Sequence, residues 1–169
     1  AGVELWIGGN YVSNLDSRIP PLGISSRPIT NVDVYNPIQS RKLDRQDIKN
    51  IKLWHKNAAK RAIIAGFDIV YVYSTHDYLI SEFLDPNKNK RTDEYGGNLK
   101  NRVRFLKELI QETLEVVSGK CAVATRFAID LNDSESFEAF ELINDTSLPK
   151  ETLVSLQKRK SDLLQNKLQ

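Results

Sequence analysis

The sequence predicts a parallel α/β fold, and three observations support this prediction. Three short runs rich in β-branched and aromatic residues are typical of buried strands, at residues 3–7, 69–73 and 122–127. Two stretches with helical periodicity, at about residues 45–65 and 99–117, separate these runs. Helical crossovers of that length join parallel neighbouring strands through right-handed connections.

The composition is that of an ordinary globular protein. The 169 residues carry a formal net charge of +2, and 40% of them are hydrophobic. This balance argues against a disordered chain and against a nucleic-acid binder, which needs a basic face to neutralise phosphates. The apolar runs are shorter than the roughly 20 residues that span a bilayer. A single cysteine, Cys121, and a start without a signal-peptide pattern lead us to expect a cytoplasmic protein without internal disulfides.

A long loop is predicted after the first strand, which ends at Gly8 and Gly9. Residues 10–43 have no clear period and contain four prolines. A loop of this length is unusual inside a compact domain and is often functional.

The first predicted helix has a clear beginning and end. Asp44 can cap its N-terminus, and Asp47 favours the positive end of the helix dipole. Gly66 stands where a left-handed residue often ends a helix. The predicted apolar stripe keeps spacings of three and four and consists of Ile48, Ile51, Trp54, Ala58, Ala62 and Ala65.

The second predicted helix follows another polar loop, at residues 74–97. Asn98 is a good N-terminal cap for this helix, and Gly119 ends it. Its predicted apolar face consists of Val103, Leu106, Leu109, Ile110, Leu114 and Val117.

The composition changes after the third strand. Residues 131–149 contain five acidic residues and no Lys or Arg, whereas residues 150–169 are basic and place leucines at helical spacing after Pro149. We therefore divide the chain into a first domain over residues 1–130 and, over residues 131–169, a divergent acidic segment with an amphipathic helical tail.

Polar side chains at the strand ends are the first candidates for a functional site, because ligands bind beyond the carboxyl ends of parallel strands. Glu4 shares one side of the first strand with Trp6. A carboxylate on a buried strand is costly unless paired, so Glu4 either forms an ion pair, for example with Arg126, or accepts a hydrogen bond from a ligand. Arg126 interrupts the third strand, and its cation either pairs with a carboxylate or stabilises negative charge on a ligand.

Tyr73 and His76 stand three residues apart at the end of the second strand. Their phenol and imidazole could exchange a proton with a substrate, although a lone histidine in a loop is more often only solvated. His55, on a helix, is expected to be a solvated side chain without a functional role. Cys121 lies at a strand start, far from the active-site loops, and is expected to be a packing residue. One cysteine excludes a Cys-rich metal cluster, and we predict no metal site.

A long motif follows the second strand. Residues 89–99 read NKRTDEYGGNL, and residues 101–105 read NRVRF. Upstream of it stand AGFD at residues 65–68 and HDYL at residues 76–79, and TRF follows at residues 125–127. This ordered set resembles the signature of the old yellow enzyme family, the FMN-dependent NADH:flavin oxidoreductases. The resemblance covers about residues 1–130.

Within that family, the run IVYVYSTH at residues 69–76 most resembles the trimethylamine dehydrogenase branch. Many ene-reductase members have His at the position of Tyr73 and His or Asn at that of His76, whereas Tyr followed by His is the amine dehydrogenase pattern. The runs LWIGG at residues 5–9 and CAVATRF at residues 121–127 are also similar to that branch.

The resemblance implies a fold and a set of roles. The fold would be part of a (β/α)8 TIM barrel, with about three parallel strands and their intervening helices; the helical C-terminal tail predicted from the leucine spacing would follow it. Arg126 would lie at the N1/C2 carbonyl edge of the FMN isoalloxazine and stabilise its reduced form, and Glu4 would accept from the flavin pyrimidine N–H. Tyr73 and His76 would line the substrate pocket and modulate proton transfer. Tyr78 would contact the substrate.

The implied activity is the oxidation of a small methylated amine by hydride transfer to FMN, which yields an aldehyde and a smaller amine after hydrolysis. Two alternatives are an ene-reductase or dienoyl-CoA-reductase-like enzyme that uses NAD(P)H, and a noncatalytic remnant or assembly module. A complete barrel takes about 250 residues, so we expect this chain to be inactive alone. An iron–sulfur cluster would require a further C-terminal region. The expected partner is a small amine or enone rather than nucleic acid or a membrane, and a full-length form could oligomerise.

Overall fold

The computed structural model describes residues 1–12, 19–28, 39–128 and 134–144. The described residues form five strands and four α-helices, and one turn of 3-10 helix follows the first strand at Gly9–Tyr11. The elements, in chain order, are β1 (Gly2–Leu5), β2 (Leu22–Gly23), β3 (Arg41–Lys42), α1 (Arg45–Ile64), β4 (Ile69–Ser74), α2 (Leu79–Leu84), α3 (Leu99–Val117), β5 (Ala122–Phe127) and α4 (Ser134–Asn144).

A three-stranded parallel sheet in the order β1-β4-β5 lies at the centre of the fold. The alternating Val and Tyr residues of β4 suit a central strand that is covered by both neighbours. Glu4 of β1 is in register with Tyr71 of β4, and Tyr73 of β4 is in register with Arg126 of β5. The predicted parallel α/β fold with helical crossovers is therefore confirmed.

The two faces of this sheet have different surroundings. Val70 and Val72 pack with residues of α1 and α3 and are fully buried. On the opposite face, Glu4, Tyr71 and Arg126 are half-buried or exposed, whereas Tyr73 is buried; we call this the open face. The prediction of a buried first strand is wrong, because β1 lies at the edge of the sheet and its residues alternate between exposed and half-buried.

Helix α1 begins with a reciprocal capping box that confirms the predicted start. Asp44 accepts from the Asp47 backbone N–H at 2.8 Å, and the Asp47 carboxylate accepts from the Asp44 N–H at 2.8 Å. The buried stripe is rotated relative to the prediction, since Trp54 is 57% exposed and His55 lies on the buried side. Both stripes keep spacings of three and four, so periodicity alone could not choose between them. The buried residues of α1 are Asp47, Ile48, Ile51, His55, Ala59 and Ala62.

Helix α3 covers the same face of the sheet beside α1 and has the predicted bounds. Asn98 caps it by accepting from the Asn101 N–H at 3.0 Å. Ser118 and Gly119, with φ of 45° and 74°, turn the chain at its end. Its buried residues are Arg102, Val103, Phe105, Leu106, Leu109, Ile110, Thr113 and Val117.

Both predicted loops contain short regular elements that the sequence analysis missed. In the first loop, β2 and β3 pair as a small parallel sheet. In the second loop, α2 buries Leu79, Ile80, Glu82 and Phe83, so this segment is not a uniformly polar loop. Each element is only two to six residues long, which is too short for a periodic signal in the sequence.

The motif at residues 89–99 ties these loops together. Asn89 Nδ2 donates to the carbonyls of Phe83 at 2.7 Å and Tyr95 at 2.8 Å. Arg91 Nη1 donates to the Leu43 carbonyl at 2.8 Å. These residues are buried or half-buried. Part of the motif therefore stabilises the loops at one end of the sheet.

Helix α4 packs on α3 within the acidic segment. Ala139 and Ile143 join the main core, and Arg102 Nη2 lies 2.5 Å from Glu135 Oε1. The division of the chain at residue 130 stays a prediction, and the predicted helical tail over residues 150–169 lies outside the described residues. Where the structure describes the chain, it contains no helix that is both long and apolar enough to cross a membrane.

Candidate functional site

The side chains predicted at the strand ends come together on the open face of the sheet. Alternate residues of a strand point to the same side, and residues in register on parallel strands share a face. Glu4, Tyr73 and Arg126 meet both conditions through the registers of β1, β4 and β5. The fold thereby joins residues that are 122 positions apart in sequence.

Glu4 and Arg126 form an ion pair across the open face. Arg126 Nη1 donates to Glu4 Oε1 at 2.7 Å. The ion pair that the sequence allowed is therefore present, yet the side chains are 42% exposed for Glu4 and 52% exposed for Arg126. A guanidinium has about five N–H donors and a carboxylate about four acceptor positions, so this single contact leaves both groups able to bind a ligand.

An open cleft of about 680 Å³ lies beside the ion pair. Its lining includes the first residues of β1 and β4, so it lies toward the amino ends of these strands. A Cβ atom at Gly2 would lie 2.9 Å from the Tyr71 ring, so a side chain at residue 2 would displace that ring. The cleft is lined by Gly2, Val3, Glu4, Phe67, Ile69, Tyr71 and Arg126.

Tyr73 and His76 form a second pair at the end of β4. The Tyr73 hydroxyl and His76 Nδ1 are hydrogen-bonded. When the phenol donates, the imidazole keeps its own proton on Nε2. Tyr73 is buried and His76 is exposed, so the pair reaches from the protein interior to solvent. Arg126 Cζ lies 5.6 Å from the centroid of the Tyr73 ring, and this cation–π contact joins the two pairs.

The chain turns sharply after β4 to present His76. His76 and Asp77 both have φ of 58°, in the left-handed region. His and Asp are enriched among the residues that tolerate this conformation, whose cost of about 1–3 kcal/mol per residue must be offset by neighbouring contacts. One such contact is the ion pair between Asp77 Oδ1 and Lys88 Nζ at 2.6 Å. No glycine marks this turn, so it was not predicted from the sequence.

Trp6 and Tyr78 form an aromatic wall beside Tyr73. The ring centroids of Trp6 and Tyr78 are 4.8 Å apart, and those of Tyr78 and Tyr73 are 5.9 Å apart. The two rings meet because the Leu79 N–H, at the start of α2, donates to the Ile7 carbonyl at 3.0 Å. A substrate contact for Tyr78 stays a prediction. The structure adds Trp6 to the candidate site. From the sequence, Trp6 was expected only to lie on the same side of the strand as Glu4, with no role assigned.

His55 and Cys121 lie outside this site. The prediction that His55 is solvated is wrong: it is 5% exposed, and burial lowers the pKa of its imidazole to about 4. Cys121 is half-buried, and desolvation raises the pKa of its thiol, which disfavours the reactive thiolate. The described part of the chain contains no group of three or more His, Cys, Asp or Glu residues that could hold a metal ion.

Comparison with known proteins identifies relatives of this chain. The profile of a family described as NADH:flavin oxidoreductase / NADH oxidase matches residues 1–166. An NADPH dehydrogenase from Clostridium acetobutylicum is 39% identical over 114 residues, which make up 67% of this chain and 34% of that protein. This chain therefore spans about a third of the length of that curated relative.

Solved structures give the same result. Histamine dehydrogenase from Rhizobium sp. 4-9 aligns with a TM-score of 0.69 and 41% identity, over 74% of this chain and 19% of that chain. The 6-hydroxypseudooxynicotine amine oxidase from Pseudomonas geniculata N1 aligns with a TM-score of 0.73 and 40% identity, over 84% and 22%. An old yellow enzyme homologue from Zymomonas mobilis aligns with a TM-score of 0.67 and 28% identity, over 81% and 41%.

These relatives confirm the family resemblance. The identities to the histamine dehydrogenase and the amine oxidase, 41% and 40%, exceed the 28% to the old yellow enzyme homologue and support the trimethylamine dehydrogenase-like branch. The parallel strands and the partial coverage agree with part of a TIM barrel. With its profile match over residues 1–166, the chain belongs to the NADH:flavin oxidoreductase / NADH oxidase family.

Proposed function

We propose that this chain forms the part of an FMN-dependent oxidoreductase that contacts the flavin and the substrate, and that the enzyme oxidises small methylated amines. The observation that supports this proposal is the meeting of a charged pair, Glu4–Arg126, and a proton-bearing pair, Tyr73–His76, on one open face. An exposed ion pair contributes little to stability, so the exposure of Glu4 and Arg126 favours a ligand-binding role.

FMN is compatible with the charged pair. The pyrimidine edge of its isoalloxazine ring presents an N–H between two carbonyl groups, so Glu4 would accept from the N–H and Arg126 would donate to a carbonyl oxygen. Both side chains are about half exposed, so a planar ring system can reach them. When bound, FMN supplies a two-electron acceptor, whose electronics the protein tunes. Arg126 would stabilise the negative charge that gathers at the edge it contacts.

The phenol–imidazole pair would control the proton of the substrate. A small amine is protonated in neutral water, and its lone pair must be free before a hydride can leave the adjacent carbon. Tyr73 and His76 can together accept that proton. The phenol oxygen can take it while the phenol's own proton passes along the hydrogen bond to His76 Nδ1. The aromatic wall of Trp6 and Tyr78 offers ring surface to the alkyl groups of the substrate.

Turnover is expected only from a complete barrel. The described residues supply three strands of the central sheet, whereas a (β/α)8 domain takes about 250 residues. The remaining strands would close the open face and supply further contacts to FMN. We therefore expect the 169-residue chain to be inactive alone.

A second candidate function is the reduction of enones with NAD(P)H. It is supported by the 39% identity to an NADPH dehydrogenase. In that reaction Tyr73 and His76 would hold a substrate carbonyl and donate a proton instead of accepting one. The identities of 40% and 41% to an amine oxidase and a histamine dehydrogenase favour the first candidate.

Two experiments test the proposal. The purified chain is titrated with FMN, and binding is followed by flavin fluorescence. The protein that carries the complete barrel is then mixed without oxygen either with a methylated amine or with NADPH and an enone. Bleaching of the flavin by the amine supports the first candidate, and enone-dependent NADPH oxidation without a response to amine supports the second. If neither the purified chain nor the protein with the complete barrel binds FMN, the protein would be a noncatalytic remnant or assembly module.

A further inference from the structure

A fully buried carboxylate lies just outside the candidate site. Glu82, on α2, is 0% exposed and accepts from Asn10 Nδ2 at 3.1 Å and 2.9 Å. Arg27 forms an ion pair with the same carboxylate from the solvent side. Burial raises the pKa of Glu82, and Asn10 and Arg27 act against that rise. A charged group removed from water in this way is costly unless its partners are well placed.

Asn10 is buried and packs tightly against Gly23. It is 3% exposed, and a Cβ atom at Gly23 would lie 2.2 Å from its Oδ1. Among the described residues, that oxygen has no hydrogen-bond partner. An unpaired buried carbonyl is unfavourable. The side chain nevertheless keeps its NH2 group on Glu82, which indicates that this contact is the dominant one.

Asn10 and Glu82 lie on the same seam as the aromatic wall. We define the seam as the contact between residues 6–10 and residues 78–82. Gly9 has φ of 61°, and a Cβ atom there would come within 3.0 Å of the Leu79 backbone. The Leu79 N–H donates to the Ile7 carbonyl at 3.0 Å. The Trp6–Tyr78 contact lies at one end of the seam, and the Asn10–Glu82 contact lies at the other.

We propose that Glu82 is a positioning residue, which fixes the Trp6–Tyr78 wall by clamping the loop after β1 to α2 through Asn10. The proposal rests on the proposed function only in treating that wall as a substrate surface. The clamp explains why the short helix α2 contains a buried charge. A carboxylate accepts a hydrogen bond from the Asn10 NH2 group more strongly than a neutral acceptor would. Without the clamp, the seam is held by the Ile7–Leu79 hydrogen bond and the Trp6–Tyr78 ring contact.

Amide hydrogen exchange tests the clamp directly. The Leu79 amide reports on the seam, and the Ile110 amide, in the core of α3, reports on overall stability. In Glu82→Leu and in Asn10→Ala, the ratio of Leu79 exchange to Ile110 exchange is expected to rise by about tenfold. Glu82→Gln keeps an acceptor for Asn10 Nδ2 and offers an N–H to its Oδ1, so the ratio should stay within roughly threefold of the wild-type value.

Thr113→Val is the matched control. Thr113 is 0% exposed, as Glu82 is, but it donates to the Leu109 carbonyl within α3. Its replacement should lower overall stability, which speeds Ile110 exchange, and should not raise the ratio of Leu79 exchange to Ile110 exchange. The wall itself is monitored by acrylamide quenching of Trp6 fluorescence. The chain has two tryptophans, so the measurement uses a Trp54→Phe background in which only Trp6 remains. Quenching should increase in Asn10→Ala and not in Thr113→Val.

The outcomes separate the clamp from the proposed function. If Glu82→Leu does not fold, Asn10→Ala gives the result alone. An unchanged exchange ratio in the folded variants, or a ratio that rises equally in Thr113→Val, overturns the clamp. FMN affinity should be unaffected by Asn10→Ala, because the flavin is assigned to Glu4 and Arg126. If neither this chain nor the protein that carries the complete barrel binds FMN, and the exchange ratios are as expected, the proposed function is refuted and the clamp stands.

Discussion

On the helix side of the sheet, Val70 and Val72 are fully buried against α1 and α3. On the open side, the neighbouring strands β1 and β5 present Glu4 and Arg126, which are about half exposed and paired mainly with each other. Strand alternation produces both faces from one backbone, since successive residues point to opposite sides. The residues that stabilise the fold and those suited to bind a ligand therefore occupy alternate positions, and substitutions should affect them separately.

The largest effect is expected from the helix layer that covers the buried face. Phe105 is 0% exposed. The centroid of its ring lies 4.7 Å from the ring centroid of Phe83 and 6.3 Å from that of Tyr95. Phe105→Ala should lower the free energy of unfolding by about 3–5 kcal/mol, because it removes apolar contacts and leaves a cavity. Trp54→Ala, at a 57% exposed aromatic residue, is the control and should cost less than about 1 kcal/mol. Urea unfolding of both variants measures the difference, and equal losses would contradict this view of the core.

The next effect is a pH dependence inside the helix layer. Burial lowers the pKa of His55 from 6.5 to about 4, so folding favours the neutral imidazole. The resulting stability is fully present above pH 6.5 and is lost as the pH falls toward 4; by pH 4 the loss is about 3 kcal/mol. The groups that face His55 are Thr113, whose hydroxyl lies 3.3 Å from Nδ1, and Glu112, which opposes the pKa shift. Glu112 is itself paired with Lys52 at 2.8 Å.

His55→Leu isolates this contribution from that of the carboxylates, which also lose stability in acid. The variant removes the titrating group, whereas the carboxylates are common to both proteins. Urea midpoints measured between pH 7.5 and pH 4 should therefore fall more steeply for the wild type than for His55→Leu. Parallel curves would mean that the imidazole is not buried in the neutral form.

The helix layer was largely predictable from sequence, and the reason is physical. The bounds of α3, its Asn98 cap and the β4 strand follow from periodicity and local capping, which act within a few residues. The rotation of α1 was not predictable, because a stripe through Trp54 and one through His55 have the same spacing. Hydropathy favoured tryptophan, while the packing against α3 selected the other side.

The site was predictable in membership but not in arrangement. Glu4, Tyr73 and Arg126 were predicted as site residues because they lie at strand ends, and the parallel register brings them together. The left-handed turn at His76 and Asp77 and the buried Glu82 gave no sequence signal. Both depend on contacts with residues distant along the chain, such as Lys88 for the turn and Asn10 for Glu82.

A smaller effect is expected on the open face, on ligand binding. Arg126→Met removes the donors assigned to the flavin edge and should weaken FMN binding by roughly tenfold, the value of one or two charge-assisted hydrogen bonds. Arg45→Met is the matched control, since Arg45 is also an exposed arginine in an ion pair, with Glu94 at 2.6 Å. Titration of both variants with FMN measures the difference. Equal affinities would remove Arg126 from the flavin site.

The smallest effect is expected on the open face, on stability. Glu4→Gln breaks the ion pair with Arg126, but water can solvate the remaining guanidinium because it is 52% exposed. The free energy of unfolding should therefore change by less than about 1 kcal/mol, as for other solvent-exposed pairs. Urea unfolding of Glu4→Gln beside Phe105→Ala measures the contrast between the two faces. A loss comparable to that of Phe105→Ala would make the pair a structural element and would withdraw the main support for a ligand on this face.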